Sequence, residues 1–342
     1  MPKWTQHRPA TWMRLNPFAM SSLDAAKPLM TRLFDIGQEE LCRIFDTLIA
    51  PALFAQAPRA TDPLLILIGG QPGAGKTRAG REVALACGQS VVRVIGDNLR
   101  PYHPAFEDLL QLDPASMPRL TAQASGTWVE MAARYAAEHR VTALIEGTWR
   151  NPAVALGTAR MFADRGFRVE AVAVAVSPEE SHLSTATRFA DDEIRDGIGR
   201  VRFTPVAEQC TAIDGIPATM RAMCEPGAPV DRMIVQTRDN VLTDQVRHEG
   251  RLLRGHLMAL RTEQNRVLSD AEMVEWSARR DWAVEHLEQA HPSDEECQML
   301  VRQLGYDAAY LEARRGGRVA VRGHARAGRD VVPYTRSRPA SR

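Results

Sequence analysis

Short apolar runs alternate with longer stretches of helical spacing through the middle of the chain. The apolar runs are typical of buried strands and lie at 64–68, 91–95, 143–146, 169–176 and 233–236. Between them, the segments 77–87 and 179–194 have the spacing of helices. Regular alternation of strand and helix predicts an α/β fold, in which helices cover both faces of a parallel sheet.

Helical segments are predicted on both sides of this α/β region. Between 21 and 54 apolar residues recur at helical spacing, and Pro51 is expected to end the second of two short helices. After about Thr243 the strand signals stop, and charged helical segments follow at 246–267, 270–290 and 294–304. The predicted regions are an N-terminal helical extension at 1–59, the α/β domain at 60–242, a C-terminal helical region at 243–313 and an Arg/Gly-rich tail at 314–342 that we expect to be disordered.

The composition is that of an ordinary soluble globular protein, since 44% of the 342 residues are hydrophobic and 25% are charged. The five cysteines form no CxxC pair, which argues against a zinc site or a disulfide framework and favours a reducing cytoplasm. No apolar run is long enough for a membrane helix, and the first residues lack the core of a signal peptide. We therefore expect a cytoplasmic location and no membrane partner.

The segment 64–77, LLILIGGQPGAGKT, predicts a phosphate-binding loop between a strand and a helix. Its GxxxxGK[ST] pattern is formed by Gly70, Gly75, Lys76 and Thr77. In such a loop, glycines let backbone N–H groups surround phosphates, the lysine reaches the β- and γ-phosphates, and the threonine hydroxyl binds Mg²⁺. The predicted nucleotide-binding residues are Gly70, Gln71, Pro72, Gly73, Ala74, Gly75, Lys76 and Thr77.

Acidic residues follow the second and third predicted strands, where a kinase of this class needs them. Asp97 is a candidate for orienting or deprotonating the acceptor hydroxyl, although it could instead cap the following turn. Glu146 ends an apolar strand, as does an acid that meets the metal through water, although acids at strand ends are often only solvated. Thr148 and Arg150 come next and would face the acceptor pocket, unless Arg150 is a surface arginine.

Arginines are expected to stabilise the charge that develops during phosphoryl transfer. Arg188 lies in the helix at 179–194, and Arg202 lies in the loop RDGIGRVRFTP, which should close over the nucleotide. The residues alone do not choose Arg202 over Arg195 or Arg200.

Four of these segments recur in order: GGQPGAGKT, GDNLRPYHP, IEGTWR, and an arginine helix and loop that end in TP. In this combination, residues 60 to 240 resemble the zeta-toxin family, the P-loop kinases of toxin–antitoxin systems that phosphorylate UDP-N-acetylglucosamine. The resemblance implies a P-loop kinase-like sheet that binds ATP and Mg²⁺ at 70–77, a nucleotide-sugar substrate, and an antitoxin as a candidate partner.

Roles for particular residues also follow from the resemblance. It implies that Asp97 is the general base and that Arg188 and Arg202 hold the phosphates. It further implies that Glu130, sixteen residues before Glu146, contacts the acceptor sugar. The other acceptor-site residues that it implies are Thr148, Arg150 and Thr158.

This chain departs from the family pattern at a few positions. Ile95 stands where a second acid is often found, Gln209 and Cys210 replace a common His-Asp pair, and the loop between the two arginines is one residue longer than in the best-known members. None of these positions carries the chemistry, so the implied kinase activity is unaffected, whereas the substrate preference of the loop is left open.

Two other functions remain open at this point. The first is a P-loop kinase of another small molecule, such as an antibiotic, a nucleoside or a metabolite. The second, less favoured, is a nucleotide-regulated module that binds nucleic acid through the tail, where nine arginines and one acid lie between Arg314 and Arg342. The terminal helices are expected to pack on the core, to bind an antitoxin, or to restrain the kinase.

Overall fold

The main element of the fold is a six-stranded sheet. The computed structural model describes residues 34–112, 116–197, 201, 203–248 and 255–316, and the backbone at 322–323 and 333–334. The strands of this sheet are β1 (Leu64–Gly69), β2 (Val92–Ile95), β3 (Ala143–Gly147), β4 (Arg168–Val174), β5 (Arg232–Gln236) and β6 (Val241–Val246). Their order is β2-β3-β1-β4-β5-β6, and all neighbours are parallel except the antiparallel edge strand β6. The predicted α/β fold is confirmed.

Helices surround this sheet. In chain order they are α1 (Gln38–Ile44), α2 (Ala50–Phe54), α3 (Lys76–Ala86), α4 (Gly96–Leu99), α5 (Phe106–Leu112), α6 (Met117–Leu120), α7 (Ala122–His139), α8 (Pro152–Ala163), α9 (Pro178–Asp196), α10 (Val206–Cys224), α11 (Gly255–Gln264), α12 (Asp270–Ala290) and α13 (Glu295–Arg315). Two further strands, β7 (Arg322–Gly323) and β8 (Pro333–Tyr334), pair with each other. The helices predicted at 77–87 and 179–194 correspond to α3 and α9.

Both faces of the sheet are covered, because alternate residues of β1 belong to two different cores. Leu65 and Leu67 pack in the core that includes α7, α8 and α10. Ile66 and Ile68 pack in the core that includes Ala79 of α3. A strand buried on both faces has a continuous apolar sequence, which explains why β1 stands out in the sequence.

Strand β6 was not predicted, because it lies at the sheet edge and its hydrophobic pattern is weak. Val241 and Val246 are exposed, and Asp244 accepts hydrogen bonds from Arg232 of β5 at 2.7 and 2.6 Å. The prediction of a helix from 246 is therefore wrong at its start: the chain is extended to Val246, residues 249–254 lie outside the described part, and α11 begins at Gly255.

The N-terminal helices pack on the α/β core. Trp128 of α7 donates its indole N–H to the carbonyl oxygen of Leu41 in α1, over 3.1 Å. A π-helical segment, Phe45–Ile49, joins α1 to α2. The expectation that Pro51 ends the helical run is wrong, since the helix continues through Pro51 to Phe54. Residues 1–33 of the predicted extension lie outside the described residues.

The C-terminal helices share a core with α9, which carries Arg188. Leu183 and Phe189 of α9 pack in one cluster with Trp276 of α12 and with Leu300 and Leu304 of α13. Among the described residues, no helix is long and apolar enough to span a bilayer. The predicted regional boundary at 242/243 stays a prediction, and the side chains of the predicted tail beyond residue 316 lie outside the described part.

Buried ion pairs reinforce the contact of α9 with the C-terminal helices. His182 Nδ1 of α9 lies 2.6 Å from the carboxylate of Asp307 in α13, and both side chains are buried. Burial alone would lower the pKa of His182, but the charge and hydrogen bond of Asp307 outweigh it and raise the pKa to about 9. The buried carboxylate of Glu193 in α9 contacts His286 at 2.9 Å and His291 at 2.7 Å.

Candidate functional site

The phosphate-binding loop follows β1 and ends at the first residue of α3. Gly73 and Gly75 have φ values of 74° and 91°, a conformation that side chains disfavour. A Cβ atom on Gly73 would also lie 2.7 Å from the carbonyl oxygen of Ser181. The loop thus needs glycine at Gly73 for steric reasons, and α3 begins at Lys76 with its N-terminus beside the loop.

Lys76 and Thr77 lie at the start of α3, beside a carboxylate from β3. The Lys76 ammonium donates to the carbonyl oxygen of Gln71 over 3.0 Å. The Thr77 hydroxyl donates to the Glu146 carboxylate over 3.3 Å. Register explains the second contact, because Glu146 pairs with Ile68 of β1.

Thr77 and Glu146 fit a Mg²⁺ site that is shared with phosphate. Mg²⁺ prefers oxygen ligands, and in nucleotide sites it uses few protein groups together with water and phosphate oxygens. Within the described residues, no group of three or more His, Cys, Asp or Glu side chains is arranged to hold a metal by itself. The residues present therefore fit a metal that binds together with the nucleotide.

Asp97 lies at the carboxyl end of β2. This is the same end of the sheet as the phosphate-binding loop, two strands away. Ile95 of β2 pairs with Glu146 of β3, which pairs with Ile68 of β1. At about 4.8 Å between strands, the ends of β2 and β1 are roughly 10 Å apart. Ile95 rather than Asp97 occupies the N-cap position of α4.

Arg100 fixes the Asp97 carboxylate. Its Nε atom donates to Asp97 over 3.0 Å. Arg100 is in turn held by the carbonyl oxygen of Pro118 at 2.6 Å and the hydroxyl of Thr121 at 2.7 Å. Burial lowers the pKa of Arg100, while nearby Glu208 opposes that shift. Asp97 thus retains solvent access beside a guanidinium that is mostly buried.

Arg188 of α9 lies in the same neighbourhood as Glu146. Its side chain keeps exposed surface, yet the protein around it removes enough hydration to lower its pKa, and the charges of Asp192 and Glu146 oppose this shift. Arg188 donates to the hydroxyl of Thr204 over 3.3 Å. Gln209, where the family often has histidine, donates to the Thr204 carbonyl oxygen over 2.9 Å.

Of the other candidate arginines, only Arg195 lies within the described residues. Arg202 and Arg200 both lie outside the described residues. Arg195 lies at the exposed end of α9, where it pairs with Asp192 at 2.6 Å and Asp196 at 2.8 Å. Arg195 is thus engaged at the surface, and the choice of Arg202 stays a prediction.

Two of the predicted acceptor-site residues follow β3, and the other two lie in α7 and α8. Thr148 is half-buried and Arg150 is exposed, directly after β3. The Thr158 hydroxyl donates to the carbonyl oxygen of Val154 in its own helix, over 3.0 Å. Glu130 is exposed on α7 and pairs with Arg134 at 3.1 Å. The hydrogen bonds and ion pairs of the described residues join none of these four residues to another, so all four roles in the acceptor site stay predictions.

Trp149 packs against Gly69, the residue before the phosphate-binding loop, a role that sequence reasoning missed. Its φ value is 52°, unusual for a bulky residue, and its side chain is buried. A Cβ atom on Gly69 would lie 1.9 Å from the indole ring, so the ring occupies the space that this glycine leaves. The hydroxyl of Thr219 donates to the Trp149 carbonyl oxygen over 2.6 Å. The available sequence signal was Gly69, an additional glycine directly before Gly70 of the loop.

Arg238 is a second residue that sequence reasoning missed. It follows β5 and donates to the carbonyl oxygen of Gly73 and to the hydroxyl of Ser184, over 2.6 Å each. It also donates to Glu180 over 2.7 Å. Its position after the carboxyl end of a parallel strand was the available signal. Arg238 therefore ties the phosphate-binding loop to α9.

Comparison with known proteins identifies the family to which the chain belongs. The family model described as Zeta toxin matches residues 51–247. The chain is 34% identical to "Toxin PezT" of Streptococcus pneumoniae serotype 4 over 129 residues, which are 38% of this chain and 51% of that protein. It is 26% identical to "Toxin zeta" of Enterococcus hirae over 169 residues, which are 48% of this chain and 57% of that protein. The chain thus matches about half the length of these curated relatives.

The fold is also similar to a solved structure from the PezAT chromosomal toxin–antitoxin system of Streptococcus pneumoniae. The TM-score is 0.60, the sequence identity is 22%, and the match covers 75% of this chain and 98% of the other. At this identity the likeness concerns the fold, and it agrees with the parallel sheet and terminal helices described above.

Proposed function

Because the chain belongs to the zeta toxin family, we propose that it is a kinase that transfers the γ-phosphoryl group of ATP to a hydroxyl of UDP-N-acetylglucosamine or a related nucleotide sugar. One observation carries the proposal: Thr77, at the start of α3, contacts Glu146 of β3. This contact lies at the same end of the sheet as Asp97, which follows β2. A loop that binds phosphate without chemistry would need neither acid.

The phosphate end of the donor binds at 70–77. Backbone N–H groups and the N-terminus of α3 face the phosphates, and Lys76 leaves its resting contact with Gln71 to reach them. Thr77 and Glu146 would hold Mg²⁺, which would neutralise charge on the donor phosphate oxygens.

Asp97 receives the proton of the acceptor hydroxyl. Its carboxylate is partly exposed to a substrate, and Arg100 orients it. Arg188 stabilises negative charge on the transferred group, because a guanidinium held beside developing charge interacts with it favourably. Arg202, on the loop between α9 and α10, is proposed as its partner.

The acceptor binds on the side of the sheet where β3 ends. Thr148, Arg150 and Thr158 offer hydroxyl and guanidinium donors to its sugar and phosphates. Glu130 would contact the sugar if Arg134 releases it. We also propose an antitoxin protein as partner and the cytoplasm as location, since a relative of this fold comes from a toxin–antitoxin system.

The test is mass spectrometry of the products after the full chain is incubated with ATP, Mg²⁺ and UDP-N-acetylglucosamine. We expect one added phosphate on the sugar, and no product from Lys76→Ala, whose ammonium contacts the donor phosphates. Asp164→Asn, at an exposed residue after α8, is the control and should form product normally. ATP that is consumed while the nucleotide sugar stays unmodified would reject this acceptor and point to another small molecule.

A further inference from the structure

Two carbonyl oxygens of the phosphate-binding loop are held by side chains that lie outside it. The hydroxyl of Ser181 in α9 donates to the carbonyl oxygen of Pro72 over 2.6 Å. Arg238, which follows β5, donates to the carbonyl oxygen of Gly73 over 2.6 Å. Because each peptide unit is planar and trans, fixing a carbonyl oxygen also fixes the N–H group on its other side. The backbone conformation of the loop therefore depends on these two side chains.

Arg238 is itself held by two groups of α9. Its Nη1 atom donates to the Glu180 carboxylate over 2.7 Å, and its Nη2 atom donates to the Ser184 hydroxyl over 2.6 Å. That hydroxyl donates to the same carboxylate over 2.8 Å. The donors of a guanidinium lie in a rigid fork, so contacts in two directions define its position. The position of Glu180 thus determines where Arg238 meets the loop.

Arg279 of α12 contacts the same two groups of α9. Its Nη1 atom lies 3.1 and 3.3 Å from the two oxygens of Glu180, and its Nη2 atom lies 3.4 Å from the Ser184 hydroxyl. A cavity of about 550 Å³ separates α12 from the residues beside the loop, and Glu180, Arg238 and Arg279 all line it. Across that space, these side chains connect α12 to the loop. Arg279 lies beyond residue 247, where the match to the family model ends.

The Glu180 carboxylate needs Arg279 for a defined orientation. Among the described contacts, Arg238 and Ser184 both bind Oε1, whereas Arg279 binds Oε1 and Oε2. Without Arg279 the carboxylate would be held at one oxygen, about which it can rotate. The side chains of Glu180, Arg238 and Arg279 are 23%, 30% and 33% exposed, so water screens their attraction less than at an open surface.

Attachment of α12 to α9 does not depend on Arg279. Trp276 and Leu287 of α12 belong to the apolar core that both helices share. His286 of α12 also contacts the buried carboxylate of Glu193 at 2.9 Å. An Arg279 variant should therefore keep α12 in place, and the ion pair of Arg279 with Glu180 has a role other than docking the helix.

We propose that Arg279 is a positioning residue for the donor phosphates, which acts through Glu180 and Arg238 to hold the phosphate-binding loop in the conformation that accepts a triphosphate. The inference rests on the donor site proposed above. In this role Arg279 touches neither the substrates nor the reacting atoms. The C-terminal helices thus contribute to phosphate binding through a chain of side chains.

The test measures binding of inorganic tripolyphosphate with Mg²⁺ to the full chain by calorimetry, because this probe addresses the loop without a nucleoside or an acceptor. Arg279→Gln should weaken binding about three- to tenfold, the size expected for coupled contacts. Arg279→Lys keeps a charge beside Glu180 and should recover part of the affinity. Arg280→Gln is the matched control on α12 and should bind as wild type does, because Arg280 pairs with Asp281.

A double variant separates positioning from direct contact with phosphate. If Arg279 acts through Arg238, Arg279→Gln should have little further effect when Arg238→Gln is already present. Equal losses of affinity with and without Arg238 would overturn the inference, since Arg279 would then act on phosphate independently. A lowered Tm of Arg279→Gln with unchanged tripolyphosphate affinity would overturn it as well, because the arginine would only stabilise the fold.

Failure of this inference can be told apart from failure of the proposed function. Wild type that binds neither tripolyphosphate nor ATP would reject the donor site, and the positioning role with it. Wild-type binding that Arg279→Gln leaves unchanged would reject the positioning role alone. Sugar phosphorylation is not part of the measurement, so a wrong acceptor would not alter either result.

Discussion

At the scale of single residues, Asp97 is held by a neighbour whose own position is fixed. Arg100 donates to Asp97 and to two groups of the segment before α7, so the carboxylate has a defined orientation without being buried. A general base needs such an orientation together with access to the acceptor. The role proposed for Asp97 therefore depends on the proton that it would accept and not on donor binding.

The first prediction separates proton acceptance by Asp97 from binding of ATP. Asp97→Asn keeps the shape of the side chain but cannot accept the proton, so kcat for nucleotide-sugar phosphorylation should fall by about 10²- to 10⁴-fold. The affinity for ATP should change less than about twofold, since Asp97 does not belong to the phosphate-binding loop. Product formation and ATP binding are measured on the same preparation. Near-normal turnover would exclude Asp97 as the base.

The second prediction concerns the tight packing of Gly73. Gly73→Ala and Gly88→Ala both place a side chain at positive φ, 74° and 68°, and each should lose about 1 kcal/mol of unfolding free energy. Only Gly73→Ala meets a backbone oxygen, at 2.7 Å, whereas Gly88 has open space. Gly73→Ala should therefore also lower ATP affinity about tenfold or more, because displaced loop N–H groups lose hydrogen bonds. Equal ATP affinities in the two variants would contradict this assignment.

At the scale of elements, α9 links the site to the C-terminal helices. It carries Arg188 toward Glu146 on one side and packs against α12 and α13 on the other. The buried pair of His182 and Asp307 lies within that contact, and Gln303 donates to the second oxygen of Asp307 over 2.9 Å. The position of Arg188 is thus coupled to helices far along the chain.

The third prediction is a dependence of stability on pH. Burial lowers the pKa of His182, but Asp307 and, to a smaller extent, Cys210 raise it to about 9. The contribution of protonated His182 to folding stability is therefore complete below the unfolded pKa near 6.5 and is lost as pH rises through 9. His182→Gln should therefore have a lower Tm than wild type at pH 6, and the difference should shrink by pH 10.

The control for this measurement is His139→Gln, at an exposed residue of α7. Its Tm difference from wild type should be small and constant over the same pH range. If the difference for His182→Gln is equally constant, the histidine does not hold its proton through Asp307.

At the scale of the whole molecule, the terminal helices belong to the folded body. Trp128 joins α7 to α1, and the cluster around Phe189 joins α9 to α12 and α13. Burying one large apolar side chain contributes about 1.5–3 kcal/mol, and total stabilities are about 5–15 kcal/mol. Losing the C-terminal helices would therefore remove a large share of the stability.

The fourth prediction uses two truncations. A chain that ends at 316 keeps α12 and α13 and should unfold within about 2 °C of the full chain, since the Arg/Gly-rich sequence beyond it has too little apolar content to form a core. A chain that ends at 248 exposes Leu183 and Phe189 and should lose its cooperative transition. Both are followed by calorimetry. Cooperative unfolding of the shorter chain at an unchanged Tm would show that the part of the chain up to 248 folds without the C-terminal helices.

Local spacing determined a large part of this picture. The buried strands, the phosphate-binding loop and the helices at 77–87 and 179–194 depend on residues close together in sequence, so their patterns were visible without a structure. The order of the segments also identified the family. The placement of Glu146 beside Thr77 followed as well, because the carboxyl ends of parallel strands meet at one edge.

Only the tertiary structure decided the remaining features, because they depend on contacts between distant residues. Arg238 binds the carbonyl oxygen of Gly73 across 165 positions, and Trp149 fills the space left by Gly69, pairings that no local pattern encodes. Strand β6 is stabilised by its pairing with β5, and its own hydrophobic pattern is too weak to predict it. The cavity beside the loop exists because α12 folds back onto α9, which spacing along the chain does not indicate.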